Sequence, residues 1–414
     1  MQTIARTQKA AGHPYWMPTT TDVSNTIQMY PDGSGNYVLV EVNDALQSPL
    51  PAGVTNAPQW TTPDSIFDVA SHTTRAIESV TTTPFTISRS MIGINIGPNA
   101  VGSLNFSKVG FVRNMDAGTH WRDIELTAGT YNAAAVAKLD AQVAAATAAG
   151  CQFIYCVDYP PASRSRYTNT ARWLPGTTPS TPGTADYTPL TTFVNYILNR
   201  YGSQITAIEG WNEPGVTGSY LDSTGAAGLK TYNDTINTAI ATWNSGNGGS
   251  VKMVGITNSN WDGISSQTYS NANLAAASCF ANCDVLGYHI YAGGGAAPLS
   301  VPRDLIRVVR ARMVTDGISA KELWITEFGD SKILTVGNTS AFWKRLILYW
   351  LALGAKKIAP YSWDNASNGD MRVSQVSTAF YQACDDLIGK TISWVNVIQG
   401  GRIAASINGV ATLI

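Results

Sequence analysis

From residue 86 onward the chain alternates short apolar runs with longer segments that carry one apolar face, at a spacing of roughly 30 residues. A parallel strand covered on both faces is apolar throughout, whereas the helix that covers it is apolar on one side only. Eight such runs in succession fit a closed (β/α)₈ barrel, an α/β fold. We therefore predict barrel strands at 91–96, 109–113, 153–157, 205–211, 251–256, 284–289, 323–326 and 357–362.

Segments with helical periodicity separate these runs. The first is rich in alanine, but Val136, Leu139 and Val143 fall on one face and Gly150 follows as a C-terminal stop. An open doubly wound sheet is the alternative, and it usually has a glycine-rich phosphate loop after its first strand. The glycines at 93 and 97 do not have that spacing, so we favour the barrel. The predicted helices cover 133–149, 190–201, 229–243, 302–313, 339–354 and 378–388.

The two ends of the chain do not follow this alternation. Residues 1–85 are rich in Thr, Ser, Pro, Gly and Asn, and their one clear strand pattern is Tyr-Val-Leu-Val-Glu-Val at 37–42. We predict a β-rich or extended appendage there, a catalytic barrel over 86–388, and short β-strands over 389–414.

Composition limits the partners of this chain. Charged residues make up only 13% of it, against about 25% in average soluble chains, and the formal net charge is −1. Such a surface has no field to attract a polyanion, so we expect no nucleic-acid partner. We see no apolar core of a signal peptide at the N-terminus, and the longest apolar run, 346–353, is too short to cross a bilayer. We therefore expect no membrane partner.

The cysteines and histidines do not form a metal-binding pattern. Five cysteines and four histidines are scattered along the chain without the spacing of zinc ligands, so we expect no metal and no cofactor. An odd number of cysteines leaves at least one thiol unpaired. A local disulfide between Cys279 and Cys283 is one reading, but we favour buried free thiols in so long a chain.

Two glutamates end predicted strands on opposite sides of the barrel mouth. Residues 211–214 read Trp-Asn-Glu-Pro after the fourth strand, and residues 326–329 read Thr-Glu-Phe-Gly after the seventh. Active sites of such barrels lie where strands end and loops begin. Glycoside hydrolysis needs one carboxylic acid to protonate the leaving oxygen and one carboxylate to attack the anomeric carbon. We therefore propose Glu213 and Glu327 as the catalytic pair.

These two motifs together resemble glycoside hydrolase clan A. The resemblance covers about residues 86–388 and implies that Glu213 is the acid/base and Glu327 the nucleophile of a retaining enzyme. It also implies that Arg113, at the end of the second strand, holds the nucleophile ionised. Asn212 would then bond the 2-hydroxyl of the sugar.

Other positions match the same clan in order along the chain. His289 and Tyr291, in a His-Ile-Tyr segment after the sixth strand, resemble its substrate- and nucleophile-contacting pair. Trp363, after the eighth strand, resembles the aromatic floor of its sugar subsite. The stretch 113–125, which contains Trp121, is similar to the strand-two loop of xylosidase-like and biofilm-matrix endoglycosidase members.

Several further residues are candidate sugar contacts on their chemistry alone. Asp116, His120 and Asp158 follow the second and third strands and could bond sugar hydroxyls, or simply satisfy one another. Trp121 offers an aromatic face for sugar stacking, with loop packing as the alternative. Glu209 lies on the same strand face as Glu213, and we expect a buried structural role for it.

The sequence thus predicts a retaining glycosidase that acts on a polysaccharide, with endo action suggested by polar, aromatic-bearing loops. The alternative is a barrel that binds glycan without cleaving it. Extracellular action on capsule or exopolysaccharide is our working context. A phage tail component attached to the virion through residues 1–85 and a bacterial matrix-degrading enzyme both remain open.

Overall fold

The structure is a computed structural model that describes residues 26–31, 37–42, 78–81, 83–165, 186–214, 226–255, 278–291, 313–314, 317–329, 337–364, 372–398 and 402–414. Near the N-terminus, strand β1 (Thr26–Pro31) pairs antiparallel with β2 (Tyr37–Val42). The second strand of this hairpin is the one predicted from the sequence.

Eight parallel strands form a nearly closed barrel, which confirms the predicted (β/α)₈ fold. The first and last strands approach through one parallel bridge between Ile92 and Ile358. Two short strands, β3 (Glu78–Thr81) and β4 (Phe85–Thr86), precede the barrel, and a hairpin of β7 (Glu125–Thr127) and β8 (Thr130–Tyr131) is inserted after its second strand. The barrel strands are β5 (Gly93–Asn95), β6 (Phe111–Arg113), β9 (Gln152–Cys156), β10 (Ala207–Glu209), β11 (Lys252–Val254), β12 (Val285–Tyr291), β13 (Glu322–Gly329) and β14 (Ala355–Pro360).

Helices lie between the strands close to the predicted positions. The alanine-rich helix begins after Asn132, whose side chain accepts a hydrogen bond from the backbone N–H of Ala134 at 3.1 Å, and Gly150 follows its end with φ +58°. Of the helix predicted at 302–313, only the last residue lies among the described residues. The helices are α1 (Trp121–Ile124), α2 (Ala133–Ala148), α3 (Thr188–Tyr201), α4 (Ala226–Asn247), α5 (Ser340–Ala352) and α6 (Ser377–Leu387).

The inside of the barrel is filled by one buried side chain from each of seven strands. Gly93 on β5 makes this packing possible, because a Cβ atom there would lie 2.5 Å from the ring of Phe111. The barrel therefore has a solid apolar core, and polar side chains gather above and below it. The cluster consists of Phe111, Ile154, Ala207, Val254, Val285, Trp324 and Ala359.

A second sheet joins the two ends of the barrel segment. The tail forms β15 (Thr391–Ile398), β16 (Arg402–Ile407) and β17 (Val410–Leu413), and β15 also pairs antiparallel with β3 and β4. The predicted tail strands are therefore present, and they share hydrogen bonds with residues that precede the barrel. The division of the chain at residues 85 and 388 stays a prediction.

All five cysteines are buried free thiols, as the sequence analysis favoured. Burial raises the pKa of Cys279 and that of Cys283 to about 12, so both thiols stay protonated. Among the described residues, none of the helices combines the length and the apolar character that a membrane span requires.

Candidate active site

The strand pleat delivers polar side chains to the mouth of the barrel. Side chains two residues apart on a strand point the same way, so the residue that follows a core residue by two lies one layer nearer the mouth. Arg113 lies two residues after Phe111, and Glu209 lies two residues after Ala207. Both are fully buried, so a charged layer sits directly on the apolar core.

Arg113 is the centre of this layer. Its guanidinium donates to both oxygens of Glu209 at 2.8 and 2.9 Å, to Glu327 Oε2 at 2.9 Å, to Asn95 Oδ1 at 2.8 Å and to Asn212 Oδ1 at 2.7 Å. These four partners lie in or just after three different barrel strands, β5, β10 and β13. The arginine fork therefore fixes the orientation of side chains that are distant in sequence.

The charge of Arg113 is secured by its surroundings. Burial alone lowers the pKa of a guanidinium, but Cys156, Glu209 and Glu327 raise the pKa of Arg113 well above its ordinary value. Arg113 therefore stays charged, and a permanent cation lies 2.9 Å from Glu327. This contact favours the ionised form of Glu327, the state that a nucleophile needs.

Glu213 and Glu327 face one another across the mouth. One carboxylate oxygen of each, together with one ring nitrogen of His289, lie within 4.8 Å of one another. The His289 Nδ1 atom is 2.7 Å from Glu213 Oε1 and 3.4 Å from Glu327 Oε2. The Glu213 side chain is 19% exposed and that of Glu327 8% exposed, so both carboxyl groups are largely withdrawn from water.

Local backbone features aim these two groups inward. Glu213 has φ +46°, a left-handed conformation that a residue with a side chain adopts only when its surroundings hold it there. The pairing of β12 with β13 shifts register between Tyr288 and His289, so that His289 lies opposite Glu327. This irregularity brings the imidazole level with the carboxylate.

Asn95 and Glu209 belong to this cluster, although the sequence analysis did not assign either to the site. Asn95 accepts from Arg113 and donates to the Thr326 carbonyl at 2.9 Å, which joins the first strand to the seventh. Its signal in the sequence is a polar residue inside an apolar strand, Ile-Asn-Ile at 94–96. Glu209 is buried, as expected, and its partner is Arg113.

A second polar group lies on the loops after β6 and β9. His120 Nδ1 is 2.9 Å from Asp158 Oδ1, and His120 Nε2 is 3.8 Å from Asp116 Oδ1. Burial alone lowers the pKa of His120, but Asp158, with Asp116 and Asp123, raises it above its usual value. The Tyr361 hydroxyl donates a hydrogen bond to Asp116. The Asp116 side chain is 33% exposed.

Both predicted tryptophans, Trp121 and Trp363, are buried in the structure. Trp121 is fully buried, stacks on Phe193 at 4.9 Å and donates to Glu125 at 2.6 Å, so neither ring face is free for a sugar. Trp363 is 2% exposed and stacks on Tyr381 at 5.8 Å. Tyr291 ends β12, and its side chain lies outside the described residues.

No model of a known protein family matches the sequence, and no curated protein matches it. Solved structures do. A family 39 glycoside hydrolase from the gut symbiont Bacteroides cellulosilyticus is 16% identical, with a TM-score of 0.54 over 80% of this chain and 71% of that one. The chain has the fold of glycoside hydrolases. At this identity the likeness establishes the architecture alone.

Two further solved structures agree with this assignment of fold. A family 30 endoxylanase from Clostridium papyrosolvens is 14% identical, with a TM-score of 0.54 over 80% of this chain and 81% of that one. A monomeric β-xylosidase from Caulobacter crescentus is 14% identical, with a TM-score of 0.52 over 77% and 74% of the two chains.

Three side chains at the mouth lie close enough together that they could also bind a cation. Glu213, His289 and Glu327 each offer one possible ligand atom, and these three atoms lie within 4.8 Å of one another. A nitrogen and two carboxylate oxygens are ligands that suit a divalent transition metal. Two of these groups, Glu213 and Glu327, are the carboxyl pair predicted from the sequence. The expectation that the protein works without a metal stays a prediction.

Proposed function

We propose that this protein is a retaining glycoside hydrolase that cleaves a polysaccharide, with Glu213 as acid/base and Glu327 as nucleophile. The observation that carries the proposal is the approach of their carboxylate oxygens to within 4.8 Å at the mouth of the barrel. Retaining enzymes hold their two carboxyl groups about 5 Å apart, whereas inverting enzymes leave roughly 6.5–9.5 Å for a water molecule. The separation therefore favours attack by the protein itself.

In the first step, Glu327 attacks the anomeric carbon while Glu213 gives its proton to the glycosidic oxygen. A bond forms between Glu327 and the sugar as the bond to the leaving group breaks, so the sugar becomes an ester of the enzyme. Arg113 supports this step because its contact with Glu327 keeps the attacking group charged.

In the second step, Glu213 takes a proton from water, the water oxygen attacks the anomeric carbon, and the ester bond to Glu327 breaks. The product keeps the original anomeric configuration. The Asn212 Oδ1 atom accepts a hydrogen bond from Arg113 at 2.7 Å. The amide nitrogen of Asn212 is then the group that can donate to a sugar hydroxyl.

The barrel shared with family 39 and family 30 glycoside hydrolases supports this proposal, as does the sequence resemblance to clan A. The similar structures described as an endoxylanase and a β-xylosidase make xylan the first substrate to test. We further propose endo action on bacterial exopolysaccharide or capsule outside the cell, with virion attachment through residues 1–85 as one setting.

A substrate panel tests the proposal directly. Wild-type protein, Glu213→Gln and Glu327→Gln are incubated with xylan, β-glucans and bacterial exopolysaccharides, and new reducing ends are measured. We expect release by the wild type alone, and proton NMR of the first product should show the anomeric configuration of the substrate. A 2-deoxy-2-fluoro glycoside of the sugar released should leave a covalent adduct on Glu327, detected by peptide mass spectrometry.

The same panel separates the alternatives. Binding of a glycan by the wild type without any new reducing ends would favour a glycan-binding barrel instead of an enzyme. Equal cleavage by both variants and the wild type would overturn the assignment of the catalytic pair. If only monosaccharide appears in the first minutes, endo action is wrong.

A further inference from the structure

A polar group on the loops after β6 and β9 takes no part in the two chemical steps. It consists of Asp116, three residues after the end of β6, of His120 in the same loop, and of Asp158, two residues after the end of β9. The two strands are neighbours in the barrel. The loops that follow them lie at the same mouth as Glu213 and Glu327, because the ends of parallel strands share one face of the barrel.

The imidazole of His120 is held in one orientation. Its Nδ1 atom lies 2.9 Å from Asp158 Oδ1, and Asp158 is fully buried, with no hydrogen-bond partner for its other oxygen among the described residues. The ring of His120 also meets the ring of Tyr159 edge to face, with centroids 5.3 Å apart. Because the ionised Asp158 carboxylate can only accept, Nδ1 carries a proton toward it, and Nε2 is the ring nitrogen left for another partner.

Asp116 and His120 present polar atoms that do not bond each other. His120 Nε2 lies 3.8 Å from Asp116 Oδ1, which is too long for a hydrogen bond. The Asp116 side chain is 33% exposed and that of His120 10% exposed, so a ligand can reach the pair from solvent. Burial lowers the pKa of His120, but Asp158 and its neighbours raise it above its usual value, which favours the form in which Nε2 is a donor. A single hydroxyl group can accept from Nε2 and donate to the carboxylate at the same time.

One aromatic side chain spans the mouth between this pair and the nucleophile. Tyr361 follows β14, and its backbone N–H donates at 2.7 Å to the carbonyl of Phe328, the residue after Glu327. The Tyr361 hydroxyl donates to Asp116. Asp116 therefore lies the length of one tyrosine side chain from the strand end that carries the nucleophile.

A second aromatic link runs toward the acid/base. Tyr159, which contacts His120, meets Trp211 edge-on with centroids 5.5 Å apart, and Trp211 lies two residues before Glu213. Aromatic side chains thus separate the Asp116–His120 pair from both catalytic carboxyl groups. For a sugar unit held between those carboxyl groups, the next unit of the chain is the one within reach of the pair.

We propose that Asp116 and His120 form a second sugar subsite, which binds a hydroxyl group of the sugar unit next to the one that is cleaved. The inference rests on the proposed function and deepens it, because it requires a substrate of at least two sugar units. Asp116 accepts a hydrogen bond from this hydroxyl, and His120 donates one to it from Nε2. Asp158 and Tyr361 are positioning residues, since each bonds one member of the pair.

The test compares a short substrate with a long one. The short substrate is the 4-nitrophenyl glycoside of a single sugar, and the long one is an oligosaccharide of six units, which is xylohexaose where xylan is the polysaccharide that the panel identifies. Loss of a hydrogen bond to a charged group costs about tenfold or more in kcat/KM. We therefore expect Asp116→Asn and His120→Asn each to reduce the ratio of kcat/KM on the long substrate to that on the short one by about tenfold.

Two further variants control for indirect effects. His120→Gln keeps an amide N–H near the position of Nε2, so it should retain more of the ratio than His120→Asn, whose side chain ends near the position of Nδ1. Asp140→Asn removes a carboxylate that pairs with Arg200 on the helices outside the barrel, and it should keep the wild-type ratio. A general disturbance of the mouth would lower kcat/KM equally for both substrates and leave the ratio unchanged.

A second readout does not depend on turnover. Glu327→Gln, which lacks the nucleophile, is titrated with xylohexaose by calorimetry, alone and in combination with Asp116→Asn. We expect the combined variant to bind with a Kd about tenfold higher. Thermal melts show whether each variant is folded. Asp116→Asn changes a partly exposed side chain, so the comparison stands on this variant if His120→Asn does not fold.

The outcomes separate this inference from the proposed function. If the wild type cleaves glycans but Asp116→Asn changes neither the ratio nor the Kd, the subsite is wrong and the proposed function stands. Equal losses on the long and short substrates also overturn the subsite. If no glycan is cleaved, yet the Kd for xylohexaose responds to Asp116→Asn, the proposed function fails while the subsite stands. Absence of both cleavage and binding overturns both.

Discussion

A cationic side chain is buried at each end of the barrel, and its surroundings shift its pKa upward at one end and downward at the other. At the mouth, Arg113 contacts two carboxylates within 2.9 Å, and its pKa is raised well above the ordinary value. At the lower end, Lys357 bonds the Ser90 carbonyl at 2.6 Å and the side-chain amide oxygen of Gln152. Burial lowers the pKa of Lys357 to about 8.

The difference lies in what compensates for lost water. Neutral carbonyls and the rings of Phe111 and Trp324, 4.9 and 5.0 Å from the Lys357 ammonium, replace only part of its hydration. At the mouth, the Glu209 and Glu327 carboxylates compensate directly for the lost hydration of Arg113. The surroundings at the mouth therefore favour a buried charge, whereas those at the lower end disfavour one.

Removal of the carboxyl groups at the mouth should have the largest effect. Glu327→Gln deletes the nucleophile and should lower kcat by at least about 10⁴-fold, and Glu213→Gln should lower it by about 10²–10⁴-fold. Glu322→Gln is the matched control, because Glu322 begins the same strand at the opposite end of the barrel. Initial rates on the cleaved polysaccharide measure all three, and a loss in Glu322→Gln comparable to the others would break the contrast between the two ends.

Removal of the paired cation should destabilise the fold. Arg113→Met leaves buried carboxylates on Glu209 and Glu327 without their partner, which we expect to lower the free energy of unfolding by about 3–5 kcal/mol. Urea denaturation at pH 7 measures this change. A loss below about 1 kcal/mol would indicate that the mouth tolerates unpaired charge, contrary to the comparison.

Lys357, in contrast to Arg113, should lower the free energy of unfolding while it is charged. The folded pKa of Lys357, about 8, lies below the value of 10.5 for a free lysine, so between these values the unfolded chain binds the proton more tightly. The free energy of unfolding of the wild type should therefore rise by about 3 kcal/mol from pH 8 to 10.5, relative to Lys357→Met. Paired denaturation curves across this range cancel other titrations, and parallel curves would contradict the depressed pKa.

His120 is a third buried group that can carry a positive charge, and its substitution should have the smallest effect. His120 pairs with Asp158, and its raised pKa means that the folded protein binds the proton more tightly than the unfolded chain. Its contribution is complete below pH 6.5, the ordinary value, and is lost as pH rises through the folded value. His120→Asn should cost about 1–2 kcal/mol at pH 5 and less at pH 8. Denaturation midpoints of the wild type and His120→Asn at both pH values measure this cost. A cost that grows with pH would contradict the raised pKa and would indicate a lowered pKa, as for Lys357.

The fold was largely predictable because its pattern is local and repeated. Each barrel strand is visible in the sequence as a short apolar run, and each observed strand overlaps one of the eight predicted runs. Strand ends were less certain, and β10 is confined to Ala207–Glu209 within a predicted run of seven residues. The β7–β8 hairpin was missed, because its two short strands are set by pairing with each other and not by an apolar pattern.

The site was predictable where residues follow strand ends and less so elsewhere. Glu213, Glu327, Arg113, Asn212 and His289 meet in one cluster, since the ends of parallel strands converge at one mouth. Asn95 was missed because its role depends on an arginine from a neighbouring strand. For Trp121 the sequence left sugar stacking and loop packing open, and in the structure its ring packs against Phe193.

The sequence by itself determined the class of fold, the order of its strands and the two glutamates at their ends, because periodicity and strand termini are local properties of the chain. Only the tertiary structure decided which charges meet. Arg113, Glu209 and Glu327 are separated by 96 and 118 residues along the chain, and closure of the barrel brings them within hydrogen-bond distance. Burial then sets the protonation of each group, since electrostatic interactions strengthen when water is excluded.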